Sequence, residues 1–303
     1  MTANSLNKIG SREAIGQKIF DLFSLTKPTI TLLVAVTVIP SLLLAAGGLP
    51  DLGASIAAIV GACLASASAA VFNQVVEVDI DFKMNRTKLR SLASGRLPKE
   101  LAILFGLSTG ILGFLILYIY ATPAAALTAT CGHLFYVFFY TMYLKRRTEQ
   151  NIVIGGAAGA VGPLIGWTAI TGHLAWPAWS LFLIIFLWTP PHFWALAIKY
   201  QEDYAQAGIP MYPVIHGEKK TKRLMLLYTI SLLPCIISLY SYEGVGWIYL
   251  LCSIAFTSKF IFDAYRLYLT KSNAGVMPFF HFSCSYVFAI FGALTLDCLF
   301  QLL

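Results

Sequence analysis

Nine apolar stretches, each about as long as a bilayer crossing, divide this 303-residue chain, and its Lys and Arg gather in or at the edge of alternate gaps between them. A transmembrane helix needs roughly 20 mostly apolar residues. The stretches that qualify are 28–47, 55–76, 101–120, 124–144, 152–170, 178–198, 225–242, 246–268 and 277–299. They predict an all-α polytopic membrane protein with nine transmembrane helices. Gly47-Gly48-Leu49-Pro50, Thr122-Pro123 and Trp176-Pro177 mark breaks between them.

The charge pattern sets the expected orientation. With a cytoplasmic N-terminus, the inside segments 1–27, 77–100, 145–151, 199–224 and 259–276, the last overlapping the end of the eighth stretch, hold all 21 Lys and Arg. The positive-inside rule then predicts a cytoplasmic N-terminus, an outside C-terminus and an odd helix count. Residues 1–27 read as a cytoplasmic segment: no apolar h-region precedes the first span, and Glu13, Asp21 and the single Arg12 do not resemble a transit peptide. Residues 28–303 read as one intramembrane domain.

Composition agrees. The chain is 58% hydrophobic and 12% charged, against about 25% charged in soluble domains. The formal charge of +7 is explained by basic loops facing anionic lipid, with no nucleic-acid partner implied. The six cysteines, Cys63, Cys131, Cys235, Cys252, Cys284 and Cys298, lie in apolar runs without CxxC spacing. They are expected to be inert buried thiols.

Two charged blocks carry the chemistry. The first, Asn73 to Arg96, follows the second apolar run. It holds Glu77, Asp79 and Asp81, then Lys83, Arg86, Lys88, Arg90 and Arg96. Asn73, Glu77 and Asp81 are four apart, so a helix running past the bilayer edge puts them on one face. Carboxylates this close must be solvated, protonated or bridged by a cation. An oxygen-only donor set selects Mg²⁺ or Ca²⁺, and the basic residues are suited to phosphate oxygens. A solvated mixed-charge loop is the bland alternative. An Asn among Ala and Val, at a depth where a polar group needs a partner, argues for a site.

The second block follows the sixth run. Thr189-Pro190-Pro191-His192 is expected to kink or unwind its helix, leaving His192 either as a packing residue or as a ligand or proton carrier for a substrate. Lys199, Glu202 and Asp203 follow at the helix end. The two long charged gaps follow the second and sixth helices, suggesting two four-helix halves that share one site, with a ninth helix added. His133, His173, His216 and His281 show no ligand spacing. No Walker loop or Ser-His-Asp signature is present.

These residues resemble the UbiA superfamily of intramembrane prenyltransferases over nearly the whole chain, from Thr26-Lys27-Pro28 to the ninth helix. The superfamily's Asn-Asp-x-x-Asp-x-x-x-Asp motif falls on Asn73, Gln74, Glu77 and Asp81, with Asp79 and Arg86-Thr87 also in place. Met84-x-Arg86-Thr87 and the run from Asn151 to Gly159 resemble its heme-prenylating branch. So, above all, does Trp188-Thr-Pro-Pro-His-Phe-Trp with Glu202-Asp203-Tyr204 and Gly208-Ile-Pro-Met-Tyr-Pro. Departures are Gln74 and Glu77 for Asp, Ser91 for Pro, Gly162-Pro163 for Pro-Pro, and adjacent rather than spaced acids at Glu202 and Asp203.

The resemblance implies farnesyl transfer from farnesyl diphosphate to a vinyl group of heme b, with addition of water. Heme b is a substrate, not a cofactor. Mg²⁺, or Mn²⁺, is expected on Asn73, Glu77, Asp81 and Asp203. Asp79, Glu202 and His192 complete the catalytic set, and Lys83, Arg86, Lys88, Arg90 and Lys199 bind diphosphate. The implied setting is a bacterial inner membrane with the site on the cytoplasmic side, and the implied partners are a heme A synthase or oxidase-assembly machinery. A quinone-precursor prenyltransferase, a transporter and a non-enzymatic heme-handling protein are the competing readings.

Overall fold

A computed structural model describes residues 15–302, so the expectations for residues 1–14 lie outside the described residues. Within that range there are helices and no strands, and nine helical segments are long and apolar enough to cross a membrane. Residues 15–25 form a first helix, α1. The spans are α2 (Pro28–Ala46), α3 (Leu52–Val76), α5 (Lys99–Tyr120), Pro123–Arg146, Asn151–Thr171, α9 (Trp176–Lys199), α12 (Glu218–Tyr240), α13 (Trp247–Leu269) and α14 (Val276–Phe300). Short helices α4 (Val78–Lys83), α10 (Gln201–Gln206) and α11 (Tyr212–His216) build the two long charged loops.

Local sequence explains the boundaries. Pro28 sits in the first turn of α2, where a missing N–H costs nothing, and Gly47 ends the helix at φ 58°. Asp51 caps α3 by accepting the Ala54 N–H at 2.7 Å. The α3–α5 pair packs through small residues. A Cβ on Gly113 would lie 3.0 Å from the Gly61 carbonyl, so the two backbones touch.

Four expectations need correcting. The fourth span is not a uniform α-helix: α6 (Pro123–Leu134) passes into a π-helical stretch, Phe135–Tyr143, and a short 3-10 turn to Arg146. The fifth is two helices, α7 (Asn151–Gly159) and α8 (Gly162–Thr171). The sixth does not break. α9 runs unbroken through Pro190 and Pro191, because the adjacent prolines confine the lost bonds to one turn and α7, α12 and α14 pack around it. The gaps counted as basic loops are partly helical: Lys219, Lys220, Lys222 and Arg223 lie in α12, and Lys259 lies inside α13. Lys222 is buried and donates to the Thr270 and Ser272 carbonyls at 3.3 and 3.4 Å. Lys259 pairs with Asp263 at 2.5 Å, which offsets the cost of a charge inside the span.

The thiol expectation also fails in part. Among the cysteines only Cys298 is buried, while Cys131 is exposed and the other four are half-buried, all within spanning helices and none in a disulfide. The charged loops converge at one end of the bundle. At the other end Thr122 Oγ1 donates to the Thr168 carbonyl at 2.8 Å, and Asp297 accepts the Gly246 N–H.

Candidate functional site

The first charged block is built on the end of α3. Glu77 interrupts the helix, yet its N–H bonds the Asn73 carbonyl at 3.0 Å and the Asp81 N–H bonds its own at 2.8 Å. The four-residue register therefore carries across the break. Asn73, Glu77 and Asp81 share one buried face, at 1, 1 and 3% exposure. Asp79 points the other way, with its side chain 58% exposed.

Each acid has a cation of its own. Lys145 donates to both Glu77 carboxylate oxygens at 2.6 and 2.7 Å. Arg90 donates to both oxygens of Asp81 at 2.9 Å. Arg146 forks onto Asp79 at 2.9 and 2.8 Å, which holds that carboxyl below its usual pKa. Lys27 donates to Asn73 Oδ1 at 2.8 Å, while Asn73 Nδ2 donates to Thr141 Oγ1 at 3.2 Å. Lys27 is the one non-glycine residue with positive φ among the described residues, at 50°. Burial, with Arg90 nearby, lowers its pKa to about 7. Strained backbone and a half-buried ammonium together mark a position held for a purpose.

The second block meets the first. Asn85 donates to Asp203 Oδ1 at 3.3 Å. The Arg86 guanidinium lies 5.6 Å from the Tyr200 ring centroid. Ile80 and Met84 pack with Ile152, Ala197, Tyr204 and Met211 to join the two loops. Asn151 ties the second loop further in, donating to the Pro210 carbonyl at 3.3 Å. A cavity of about 370 Å³ beside the first block is lined by Lys27, Arg86, Arg90, Arg96, Gln74 and Asp21, among others. Arg96 pairs with the buried Asp21 at 3.2 Å.

Not every expected residue joins. Arg90, expected on phosphate, lines the cavity and also pairs with Asp81. Lys88 donates to Asn85 at 2.9 Å. Lys83, Lys199 and Glu202 are exposed, and the structure gives them no contact with the buried face. His133 lies edge-on to Phe72, as a packing residue would, and His216 lies beside Tyr212. His192 lies between Trp188 and Phe280, at ring-centroid distances of 4.3 and 4.7 Å.

A divalent cation fits the chemistry of the first block. Two buried carboxylates and an amide oxygen on one face, leaving places for waters and phosphate oxygens, match what Mg²⁺ takes. Among the described residues no three His, Cys, Asp or Glu are grouped closely enough to hold a metal alone. A metal there would share Glu77, Asn73 and Asp81 with Lys145, Lys27 and Arg90.

Lys27, Lys145, Arg146 and Asn85 were not singled out from the sequence. Lys145 and Arg146 count there as inside charges, and nothing local joins them to acids nearly 70 positions away. The usable signal was their place at the basic end of a span, level with the acidic stripe.

Residues 34–288 match the UbiA prenyltransferase family. A protoheme IX farnesyltransferase of Symbiobacterium thermophilum is 45% identical over 286 residues, covering 93% of this chain and 95% of that protein. One of Gloeobacter violaceus is 43% identical over 281 residues, covering 92% of each. Among solved structures, a digeranylgeranylglyceryl phosphate synthase superposes with a TM-score of 0.77 at 18% identity, covering 93% of this chain and 99% of that one. A UbiA homologue from Archaeoglobus fulgidus bound to DMAPP and Mg²⁺ gives 0.64 at 12% identity, covering 90% and 99%. At these identities the structures share the fold.

Proposed function

This chain belongs to the UbiA prenyltransferase family, and from that premise we propose that it transfers the farnesyl group of farnesyl diphosphate to a vinyl group of heme b, with addition of water, to give heme O and diphosphate. The observation that carries the reading is the buried face of Asn73, Glu77 and Asp81 tied to the Asp203 loop through Asn85. Relatives 45 and 43% identical bear the name of that activity.

The work of the site is to stabilise a leaving diphosphate. As the allylic C–O bond breaks, negative charge grows on the diphosphate, and preorganised positive charge lowers the barrier. Asn73, Glu77, Asp81 and Asp203 would hold Mg²⁺ or Mn²⁺, which when bound neutralises that charge. Lys27 and Arg86 line the adjacent cavity, which supports a role for both in meeting phosphate oxygens. Arg90 and Lys145 hold the acids in one geometry. Asp79 with Arg146 pins the α3–α4 junction, and Lys88 fixes Asn85. Lys83 and Lys199 stand at the exposed rim, suited to drawing in an anionic head group, and Glu202 stands there beside Asp203, suited to a cation.

The heme vinyl carbon attacks C1 of the farnesyl chain, and water closes the resulting cation. Apolar helix faces beneath the charged end keep water from the allylic cation before the new bond forms. A transporter reading places its polar groups near the bilayer midplane; here the acids stand at one end of the bundle. The charge pattern supports a cytoplasmic position for that end, and the setting we favour is a bacterial inner membrane, with heme A synthase or oxidase assembly as the consumer of the product.

Membranes carrying Asp203→Asn test the shared site. The expected result is full insertion with no prenylated heme; full activity overturns the two-loop arrangement.

A further inference from the structure

His192 is held more firmly than packing requires, and one of its nitrogens is left open. Its ring stacks on Trp188 and Phe280, with interplanar angles of 22 and 27°. Its Nδ1 lies 2.7 Å from Ser283 Oγ. Ser283 Oγ donates its single proton to the Phe280 carbonyl at 2.6 Å, so it faces His192 as an acceptor. Nδ1 therefore carries the ring proton, and Nε2 carries the lone pair. Trp188 Nε1 locks the same residue from the other side, donating to the Ser283 carbonyl at 2.8 Å. Nε2 has no hydrogen-bond partner among the described residues.

His192 is half-buried, so the open nitrogen lies inside a membrane helix yet can still be reached by a ligand. A neutral imidazole with Nδ1–H tied to a fixed acceptor and Nε2 open is the form in which histidine binds metals, the second-shell bond setting tautomer and ring orientation. His192 lies seven residues before Lys199, roughly 10 Å down α9 from its charged end. That depth suits an apolar macrocycle lying below a diphosphate held at the loops.

We propose that His192 Nε2 is an axial ligand to the iron of the heme substrate, with Ser283, Trp188 and Phe280 as its positioning residues. The assignment rests on the heme-prenylation reading and adds to it the group that fixes the acceptor's orientation.

The test uses the full-length protein in lipid nanodiscs with heme b alone, read by optical and electron-paramagnetic spectra. Wild type is expected to bind heme b with a histidine-ligated spectrum. His192→Ala should lose that signature, and added imidazole should restore it. His192→Cys should replace it with a thiolate-type spectrum, a ligand swap that a structural role cannot produce. Ser283→Ala should keep the histidine signature but weaken heme binding by about 10- to 100-fold. Retained diphosphate binding shows that each variant is folded. An unchanged spectrum in His192→Ala and His192→Cys overturns the ligand assignment even where wild type makes heme O. Absence of heme binding by wild type, with diphosphate binding intact, overturns both the assignment and the heme reading.

Discussion

Lys145, at the end of the fourth span, takes both carboxylate oxygens of Glu77 at 2.6 and 2.7 Å, closing a contact between residues 68 apart in sequence. Both partners are shielded, with side-chain exposures of 15 and 2%. Breaking one side of such a pair leaves a buried charge uncompensated, at a cost of about 3–5 kcal/mol. Glu77→Gln is expected to lose turnover and to lower unfolding stability by that order. The Glu77→Gln, Lys145→Met double variant should recover stability without recovering turnover. Thermal unfolding in detergent, beside product analysis, separates the two effects.

Asp79 predicts the opposite. Its pair with Arg146 is exposed, at 58 and 38%, and solvent-screened pairs contribute about 0–1 kcal/mol. Asp79→Asn should stay near wild-type stability and retain turnover, whereas Asp81→Asn should lose it. Asp79 titrates below its ordinary pKa when folded. Its small contribution is present above that value and fades as pH falls through the lowered one. Loss of turnover in Asp79→Asn equal to that in Asp81→Asn would contradict the division of the acids into a buried face and an exposed one.

Lys27 gives stability a pH dependence. Its folded pKa is about 7 against an ordinary 10.5. Between those values the unfolded chain binds the additional proton, so stability rises with pH across that window. Lys27→Met should flatten that rise in unfolding curves measured between pH 7 and pH 10. Parallel curves for the two proteins would show that the ammonium is not desolvated.

Gly155 is required by Tyr140. A Cβ there would lie 2.1 Å from the Tyr140 ring, and that ring lies 5.9 Å beneath the Lys145 ammonium. Gly155→Ala should cost about 1–3 kcal/mol by overpacking and reduce turnover as the ring shifts. An unchanged unfolding temperature would mean that the ring moves aside freely.

The nine spans could be read from hydropathy because length and apolar run are local properties. The Asn73, Glu77 and Asp81 stripe was equally legible, since a four-residue spacing survives the kink at Glu77. The meeting of the two loops followed from charge placement and is seen in Asn85 and Asp203. What sequence could not give was the pairing. Lys27, Lys145 and Arg146 read as generic inside charges because their partners lie on other helices. Pro190 and Pro191 misled for a related reason: their local cost is real, but packing of α9 against three neighbours is a tertiary property. Lys259 was counted both in the eighth stretch and in the basic segment after it, because charge counting does not see Asp263 one turn away.

The most direct measurement incubates membranes containing this protein with heme b, farnesyl diphosphate and Mg²⁺, then resolves the extracted hemes by chromatography and mass. The account predicts a new heme heavier by one farnesyl group and one water, absent after EDTA and absent with Glu77→Gln. Unchanged heme b in well-folded wild-type membranes, alongside prenylation of an aromatic quinone precursor, would contradict it.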